Sequence, residues 1–454
     1  MAVACGCRGK PTGPAFAVVG ESTRIRLDDP LPATTPWFDG TTITLVAARG
    51  ETLGVVVRQA DPAELQLVVD DKRVSVQGYD VDAIEVSRPS TAMYGGSRGR
   101  GRYADGLRPA LHPAANPAYF EIRVDAPAGT YRGHLSRAGR TVPVELTVAP
   151  IELVPLPRSV WAYEDPKEID DPAAERACID MFARHGVLLS PDIKLGDWTS
   201  RQSLVADMRY VPVIIPDDPA TVGPVVAKWL EAFAGSNQIP FAIPIDEPHT
   251  PEARAKVKAL AAAVHAAGGG PGRLLLAVTA DPSPELGADL YISLHAHTGE
   301  WTYNGAPPRA GSMVLDAETP SLRTWGWIAW RYRVPLWYAW DALYWHDRYH
   351  SKRALDLGDP ISFDDGDDRG NLDGVLALPG CIPTLRLEAL RRGLIDRQLL
   401  DLAAECKPDE TAALAKSIVP TALGEAGDHA SWSSDEATWE MARRKLIELA
   451  SSCE

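Results

Sequence analysis

The run Phe241-Ala-Ile-Pro-Ile-Asp246-Glu247-Pro248-His249 carries the residues with the clearest chemical meaning. An apolar, strand-like stretch ends in two adjacent carboxylates and then a proline. Neighbours on a regular strand point to opposite faces, so both acids can serve one site only where the strand stops. Pro248 stops it there, since proline cannot extend a sheet ladder. Two carboxylates this close push each other's pKa values apart, so that one can hold a proton while the other is ionised. That is the equipment of general acid–base catalysis. The structural use of such acids would be to cap the next helix, but Thr250, followed by Pro251, already fills that role. Asp246 and Glu247 are therefore the candidate catalytic residues.

Tryptophan supplies a second signal. Trp325-Gly-Trp327-Ile-Ala-Trp330 and Trp337-Tyr-Ala-Trp340-Asp-Ala-Leu-Tyr-Trp345 hold six of the 13 tryptophans. The 327/330 spacing is helical and reads as core packing. Trp340 and Trp345 fall at the end of a strand and in the loop beyond it, where a sugar ring could lay its C–H face on an indole. His295 and His297 end another strand on the same side, and Tyr163 closes the first of the series. Trp340, Trp345, His295 and Tyr163 are the substrate-binding candidates. The cysteines at 5, 7, 178, 381, 406 and 453 make no Cys-x-x-Cys and no Cys/His cluster, so no zinc site is expected, and Cys178 reads as a buried small hydrophobe. The acidic run from Asp364 to Gly374 resembles a calcium loop only superficially. Arg369 interrupts its ligand spacing and Leu376 stands where a bidentate Glu belongs, so it reads as a solvated loop. No metal and no cofactor are expected.

These residues need a scaffold, and the pattern changes near residue 152. Before it, short alternating or β-branched runs at 23–27, 41–46, 53–58, 65–69, 74–77, 119–124, 129–135 and 142–148 are separated by Gly, Pro and Asp, the pattern of a β-sandwich. After it, apolar runs at 159–163, 187–190, 210–215, 241–246, 274–279, 290–295, 312–315 and 335–340 alternate with amphipathic stretches such as 173–185, 222–234, 251–267 and 321–332. Eight such units predict a (β/α)8 TIM barrel, in which the C-terminal strand ends, and with them Asp246 and Glu247, form the active face. A doubly wound sheet is the alternative, but no Gly-x-Gly-x-x-Gly or phosphate-binding loop follows any strand. Helices at 410–418 and 435–451 end the chain. The expected division is a sandwich over 1–152, a barrel over 153–405 and a helical segment over 406–454.

The composition is that of a globular protein, 45% hydrophobic and 24% charged. With 46 Lys plus Arg against 61 Asp plus Glu, the formal charge of −15 argues against nucleic acid as a partner. No apolar run approaches a membrane span. The start, Met1-Ala-Val-Ala-Cys5-Gly6, ends like a bacterial lipoprotein cleavage site without the apolar segment that precedes one. A lipid on Cys5 is the expected membrane contact, with a secreted, periplasmic or surface-anchored location.

Asn371-Leu-Asp-Gly374-Val-Leu-Ala-Leu-Pro379-Gly380, followed by Pro383-Thr-Leu-Arg386-Leu-Glu388-Ala-Leu-Arg391-Arg-Gly393-Leu-Ile-Asp396, resembles the C-terminal signature of the DUF4091 proteins, a family that includes glycoside hydrolase family 123. Arg49-Gly-Glu51, Ala128-Gly-Thr-Tyr-Arg-Gly133 and Gly326-Trp-Ile-Ala-Trp330 agree in order, and Asp246-Glu247-Pro248 stands where the family keeps its catalytic pair. The chain departs from the pattern at Ala377-Leu378 and at Ile395. The resemblance implies retaining hydrolysis of N-acetyl-β-galactosaminides, with the sugar's own acetamide oxygen as nucleophile and an oxazolinium intermediate. It implies Glu247 as general acid/base and Asp246 as the group that orients the acetamide N–H. The expected partner is a carbohydrate. A non-catalytic, cell-surface glycan-binding protein is the second class, distinguished by having no need for two carboxylates beside a proline.

Overall fold

The computed structural model describes residues 15–164, 168–305, 309–425, 427 and 431–453, so Cys5 and its expected lipid lie outside the described residues. Among the described residues the N-terminal part contains nine strands: β1 (Phe16–Gly20), β2 (Ile43–Arg49), β3 (Glu51–Gln59), β4 (Leu65–Val69), β5 (Val74–Val86), β6 (Gly101–Pro109), β7 (Ala118–Val124), β8 (Gly129–Arg137) and β9 (Arg140–Glu152). They form a five-stranded antiparallel sheet, β1-β3-β7-β5-β6, and a four-stranded sheet, β2-β9-β8-β4, in which β2 and β9 run parallel. Strand alternation puts Val55, Val57, Phe120 and Ile122 of the first sheet in one buried cluster with Leu45, Leu67, Leu135 and Leu146 of the second. The intervening Val56 and Tyr119 face the other way, into a cluster with Leu385. The five-stranded sheet is thus covered on both faces. For that reason β3 reads as an unbroken apolar run rather than an alternating one.

Eight parallel strands follow: β10 (Val160–Glu164), β11 (Val187–Pro191), β12 (Tyr210–Pro212), β13 (Ile239–Ala242), β14 (Leu275–Val278), β15 (Leu290–Ser293), β16 (Trp301–Tyr303) and β17 (Trp337–Ala339). They pair in sequence order, and β17 returns to β10 through Val160 and Trp337. The seam between β11 and β12 is spanned by a parallel bridge from Ile193 to Val213. The result is a nearly closed eight-stranded parallel barrel. Stacked and edge-on rings contribute much of its lumen, beside the aliphatic Leu188, Leu275 and Ile292 that pair in register with them. Trp161 of β10 stacks on Tyr338 of β17 with centroids 4.7 Å apart, and Phe241 of β13 lies 5.3 Å from both Trp161 and Trp301 of β16.

Helices α1 (Pro172–Arg184), α2 (Trp198–Arg201), α3 (Val222–Ala232), α4 (Pro251–Ala266), α5 (Thr324–Tyr332) and α6 (Leu385–Cys406) follow β10, β11, β12, β13, β16 and β17. The link from β14 to β15 holds only a short 3-10 turn, Pro284–Leu286, and residues 294–300 between β15 and β16 hold no helix. Two of the eight units therefore depart from the regular strand–helix alternation that the sequence predicts. The seventh strand is also displaced: it is Trp301–Tyr303, while residues 312–315 are a buried loop. In that loop Leu315 N donates to Asn371 O at 2.8 Å, and Met313 O accepts from Arg386 at 3.0 Å. A four-residue apolar run bounded by turns does not distinguish a strand from a buried loop, and a three-residue strand has too little length to show a period. Among the described residues, no helix is long and apolar enough to cross a membrane.

Helices α7 (Pro408–Ile418) and α8 (Glu436–Ala450) pack on α6, α7 also against α5 and α8 also against β9. Two disulfides tie the outer layer together, Cys178–Cys381 and Cys406–Cys453. Cys178 is thus not a free small hydrophobe as its helical setting suggests. Its partner lies 203 residues away in sequence, a pairing that sequence spacing cannot indicate.

The two halves meet on α6. The Arg386 guanidinium reaches across to Asp105 of β6 at 2.9 Å, and both side chains are fully buried. A buried charge that loses its partner costs about 3–5 kcal/mol. Asp105→Asn should therefore lower unfolding free energy by roughly that amount, read as an earlier urea midpoint at unchanged slope; an unshifted midpoint would show the pair to be dispensable.

Candidate active site

In a parallel barrel every strand opens onto the same face at its C-terminal end. Here that face gathers Glu164 at the end of β10, Asp192 just past β11, Asp246 and Glu247 past β13, Thr279 and Asp281 past β14, His295 past β15, Tyr303 at the end of β16 and Trp340-Asp341 past β17.

Asp246 and Glu247 lie beyond the last paired residue of β13, and the chain turns between them and the next helix. Glu247 takes a left-handed backbone, φ 40°, a conformation uncommon for a non-glycine residue. One hydroxyl ties the two acids together. Thr279 Oγ1 donates to Asp246 Oδ1 at 2.5 Å and accepts from Glu247 N at 2.7 Å. The Glu247 carboxyl is 43% exposed. Tyr303 donates to its Oε1 at 2.5 Å, and His249 Nε2 stands 3.2 Å from its Oε2. Helix capping makes no claim on either acid: the Thr250 side chain accepts from Ala253 N, with Pro251 opening α4.

The environments of the two acids differ. Burial, with the neighbouring Glu247 charge, pushes Asp246 above the usual carboxylate range against the opposing Thr279 hydrogen bond. Tyr303 is driven up by burial and by its bond to Glu247, so its hydroxyl stays a donor at any physiological pH.

Of the other expected residues, Trp340 is half-buried at the mouth, with its ring 4.8 Å from that of Tyr344. Its backbone N donates to Asn304 Oδ1 at 2.7 Å. Gly374, with φ 68°, lies against it, and a Cβ there would come 3.1 Å from Asp341 N and 3.4 Å from the indole. Tyr163 shares the inward face of β10 with Trp161, two residues earlier, and is partly buried. His295 is bound to Asp281, Nδ1 to Oδ1 at 2.9 Å, and His297 Nε2 lies 3.4 Å from the same oxygen. Trp345 is a correction. It is 6% exposed and donates its indole N–H to Ala377 O at 2.8 Å, so it packs the core and does not overhang the mouth.

Thr279, Asp281 and Tyr303 escaped the sequence reading. Thr279 ends the fifth apolar run just as Asp246 ends the fourth, so strand-end position was a usable signal. Tyr303 had none, because its strand was not recognisable. Among the described residues one other cluster has metal-ligand types, Glu121, His185 and Glu388. Arg391 lies 2.6 Å from both glutamates and supplies the positive charge there.

Glu164 points away from the lumen toward α1. It is fully buried, and burial together with Glu175 raises its carboxyl from 4.5 to about 9. Between these values the folded chain keeps a proton that the unfolded chain releases, so stability declines as pH rises from about 4.5 to about 9. Glu164→Gln, neutral throughout, should flatten that decline and raise Tm at pH 8 by roughly 2 °C or more. Melting curves at pH 5 and pH 8 that fall in parallel for both proteins would refute the assignment.

Compared with known proteins, the chain matches no protein-family model and no curated protein. Among solved structures it is similar to a family 123 glycoside hydrolase from Clostridium perfringens, at 10% identity and a TM-score of 0.60, over 96% of this chain and 98% of that one. Looser similarity extends to an FMN-binding beta-glucuronidase from Facaelibacterium prausnitzii L2-6, with 10% identity, a TM-score of 0.29 and 85% and 61% of the two chains covered. A glycosyl hydrolase family 2 member from Bacteroides cellulosilyticus follows at 9%, 0.27, 76% and 49%. The first likeness is one of overall fold across nearly the full length of both chains; the other two are too loose to bear on this chain.

Proposed function

We propose that the protein is a retaining glycoside hydrolase that cleaves N-acetyl-β-hexosaminides, N-acetylgalactosaminides in particular, by substrate-assisted catalysis. The observation that carries this reading is the division between two adjacent carboxyls at the barrel mouth, Asp246 shielded and raised, Glu247 open and half-exposed. In this reading residues 1–152 are an accessory β-sandwich, 153–405 a (β/α)8 catalytic barrel and 406–454 a helical support. The full-length likeness in fold to a family 123 enzyme supports that arrangement.

The sugar's acetamide oxygen attacks the anomeric carbon while Glu247 protonates the departing glycosidic oxygen. An oxazolinium forms, and Glu247 then takes a proton from the water that opens it. Asp246 accepts the acetamide N–H. Burial has stripped that carboxyl of solvent, and the substrate N–H restores a hydrogen bond to it. Tyr303 holds Oε1 of Glu247, and Oε2, which His249 approaches at 3.2 Å, is the oxygen that transfers the proton. Trp340 and Tyr163 border the sugar and His295 its edge. The chemistry needs no cofactor. The two disulfides support an oxidising compartment, so we place the protein outside the cytosol, secreted, periplasmic or lipid-anchored through Cys5.

Glu247→Gln should lower turnover of alkyl and nitrophenyl glycosides ~10²–10⁴-fold. A dinitrophenyl leaving group, which needs no proton, should lose much less. Asp246→Asn should slow both substrate types alike. Aryl N-acetylgalactosaminides should be cleaved and the corresponding plain galactosides left intact. Equal cleavage of the two sugars would sink the internal-nucleophile mechanism, and cleavage of neither would leave glycan binding as the function.

A further inference from the structure

A second, chemically different cavity lies where the N-terminal sheet, the loop before α5 and the segment before α8 converge. It is a partly open cleft of about 330 Å³, and none of its lining residues belongs to the barrel-mouth site. That volume falls within the range of small-molecule pockets. Four arginines line it, Arg24, Arg26, Arg58 and Arg98, against two acids, Asp29 and Glu318. In a chain carrying a formal charge of −15, a net positive enclosure is a local exception.

The acids do not neutralise all four. Asp29 pairs with Arg26 and Arg98. Arg98 also lies 3.9 Å from Glu318, whose side chain is 59% exposed. Arg24 and Arg58 are only 5% and 7% exposed, and among the described residues neither has a carboxylate within ion-pair distance, although Asp105, Glu436 and Asp316 act on Arg24, and Asp29 on Arg58, from farther off. Arg58 spends its terminal nitrogens on the carbonyls of Asp29 and Pro30, at 2.7 and 3.3 Å, and Arg24 reaches only the Ser321 hydroxyl, at 3.2 Å. The Nε of each has no hydrogen-bond partner. Burial, with Arg386 nearby, pulls the Arg24 guanidinium down to about 9 and outweighs the opposing charges of Asp105, Glu436 and Asp316. Such a pair of desolvated forks is suited to planar or tetrahedral oxyanions. The hydroxyls of Thr23, Thr319 and Ser434 line the same space.

We propose that this cavity is a binding site for an oxyanion, a carboxylate, sulfate or phosphate group, free or carried by a molecule of monosaccharide size. The site exists only when the sheet, the barrel loop and the C-terminal segment are assembled, so occupancy reports on the junction between them. Titration calorimetry and thermal shift on the whole chain at constant ionic strength provide the test. The probes are sulfate, phosphate and glucuronate, with chloride and neutral glucose as controls. At least one oxyanion should bind saturably below ~20 mM and raise Tm, while chloride and glucose do neither. Sulfate or phosphate binding alone would assign a free inorganic anion, and glucuronate binding alone a sugar-borne group. Arg58→Gln should weaken binding at least ~10-fold, and Arg58→Lys should recover part of the loss; circular dichroism checks that each variant is folded. The absence of saturable binding by any oxyanion would overturn the proposal. So would equal affinity in wild type and a folded Arg58→Gln, or glucose binding as well as glucuronate.

Discussion

Everything in this molecule is hung on the buried charges of α6. A helix placed between a sheet and a barrel has few exposed residues left, and α6 is buried almost all round. Arg391 reaches Glu21, Glu121 and Glu388 at 3.1, 2.6 and 2.6 Å, and Arg392 reaches Glu21 and Glu51, each at 2.7 Å. Ion pairs this dry gain little net energy over apolar packing, but a misplaced helix would strand several charges at once. They therefore act as a strict test of register between the halves. Glycines set the spacing. A Cβ on Gly326 would come 1.8 Å from Gly393 O, so α5 and α6 cross at backbone contact. That approach lets Arg323 and Trp327 both donate to Asp396 Oδ2, at 2.7 and 2.8 Å.

The same anchor reaches the barrel mouth. Arg386 donates to Leu372 O at 2.9 Å and so fixes the segment that contains Gly374. Gly374 lies against Trp340 and the backbone of Asp341. The mouth is thus positioned from behind by the helix that holds the sheets, and Trp340 is coupled to the N-terminal sheets through two short steps. This accounts for why a motif far from Asp246 in sequence, Asn371 to Asp396, is the most recognisable stretch in the chain: nearly every polar residue in it has a buried partner.

What could be read from the sequence follows from which constraints are local. The change of rhythm near residue 152, the two acids beside Pro248 and the Thr250 cap are written in a few adjacent residues; in the structure the acids lie just past β13 and Thr250 caps α4. Cys178–Cys381 joins residues 203 apart, and the Thr279 and Tyr303 contacts to the acids span 32 and 56 residues. No local pattern encodes those. Trp345 misled because an indole past a strand end has the same sequence appearance whether it faces a ligand or, as here, donates to Ala377 O in the core. Residues 312–315 misled for the converse reason: burial made an irregular loop as apolar as a strand.

The electrostatics of the mouth bear on what it can accept. Asp192, Asp246, Glu247, Asp281 and Asp341 all stand at strand ends on that face, and burial with the charges of Asp192, Asp341 and Asp246 lifts the buried Tyr338 well above its ordinary range. A field of that sign disfavours an anionic group on a substrate and favours positive charge developing in the site. On the proposed mechanism the intermediate is a cation, the oxazolinium, formed from a neutral sugar. The mouth is therefore matched to charge that appears only as the bond breaks, which is the condition under which electrostatics accelerate a step rather than merely tighten binding. On that mechanism an acidic sugar would lose on entering this face what the neutral one gains during reaction, and the acid-rich rim would select against charged hexosamines without any contact to their substituents.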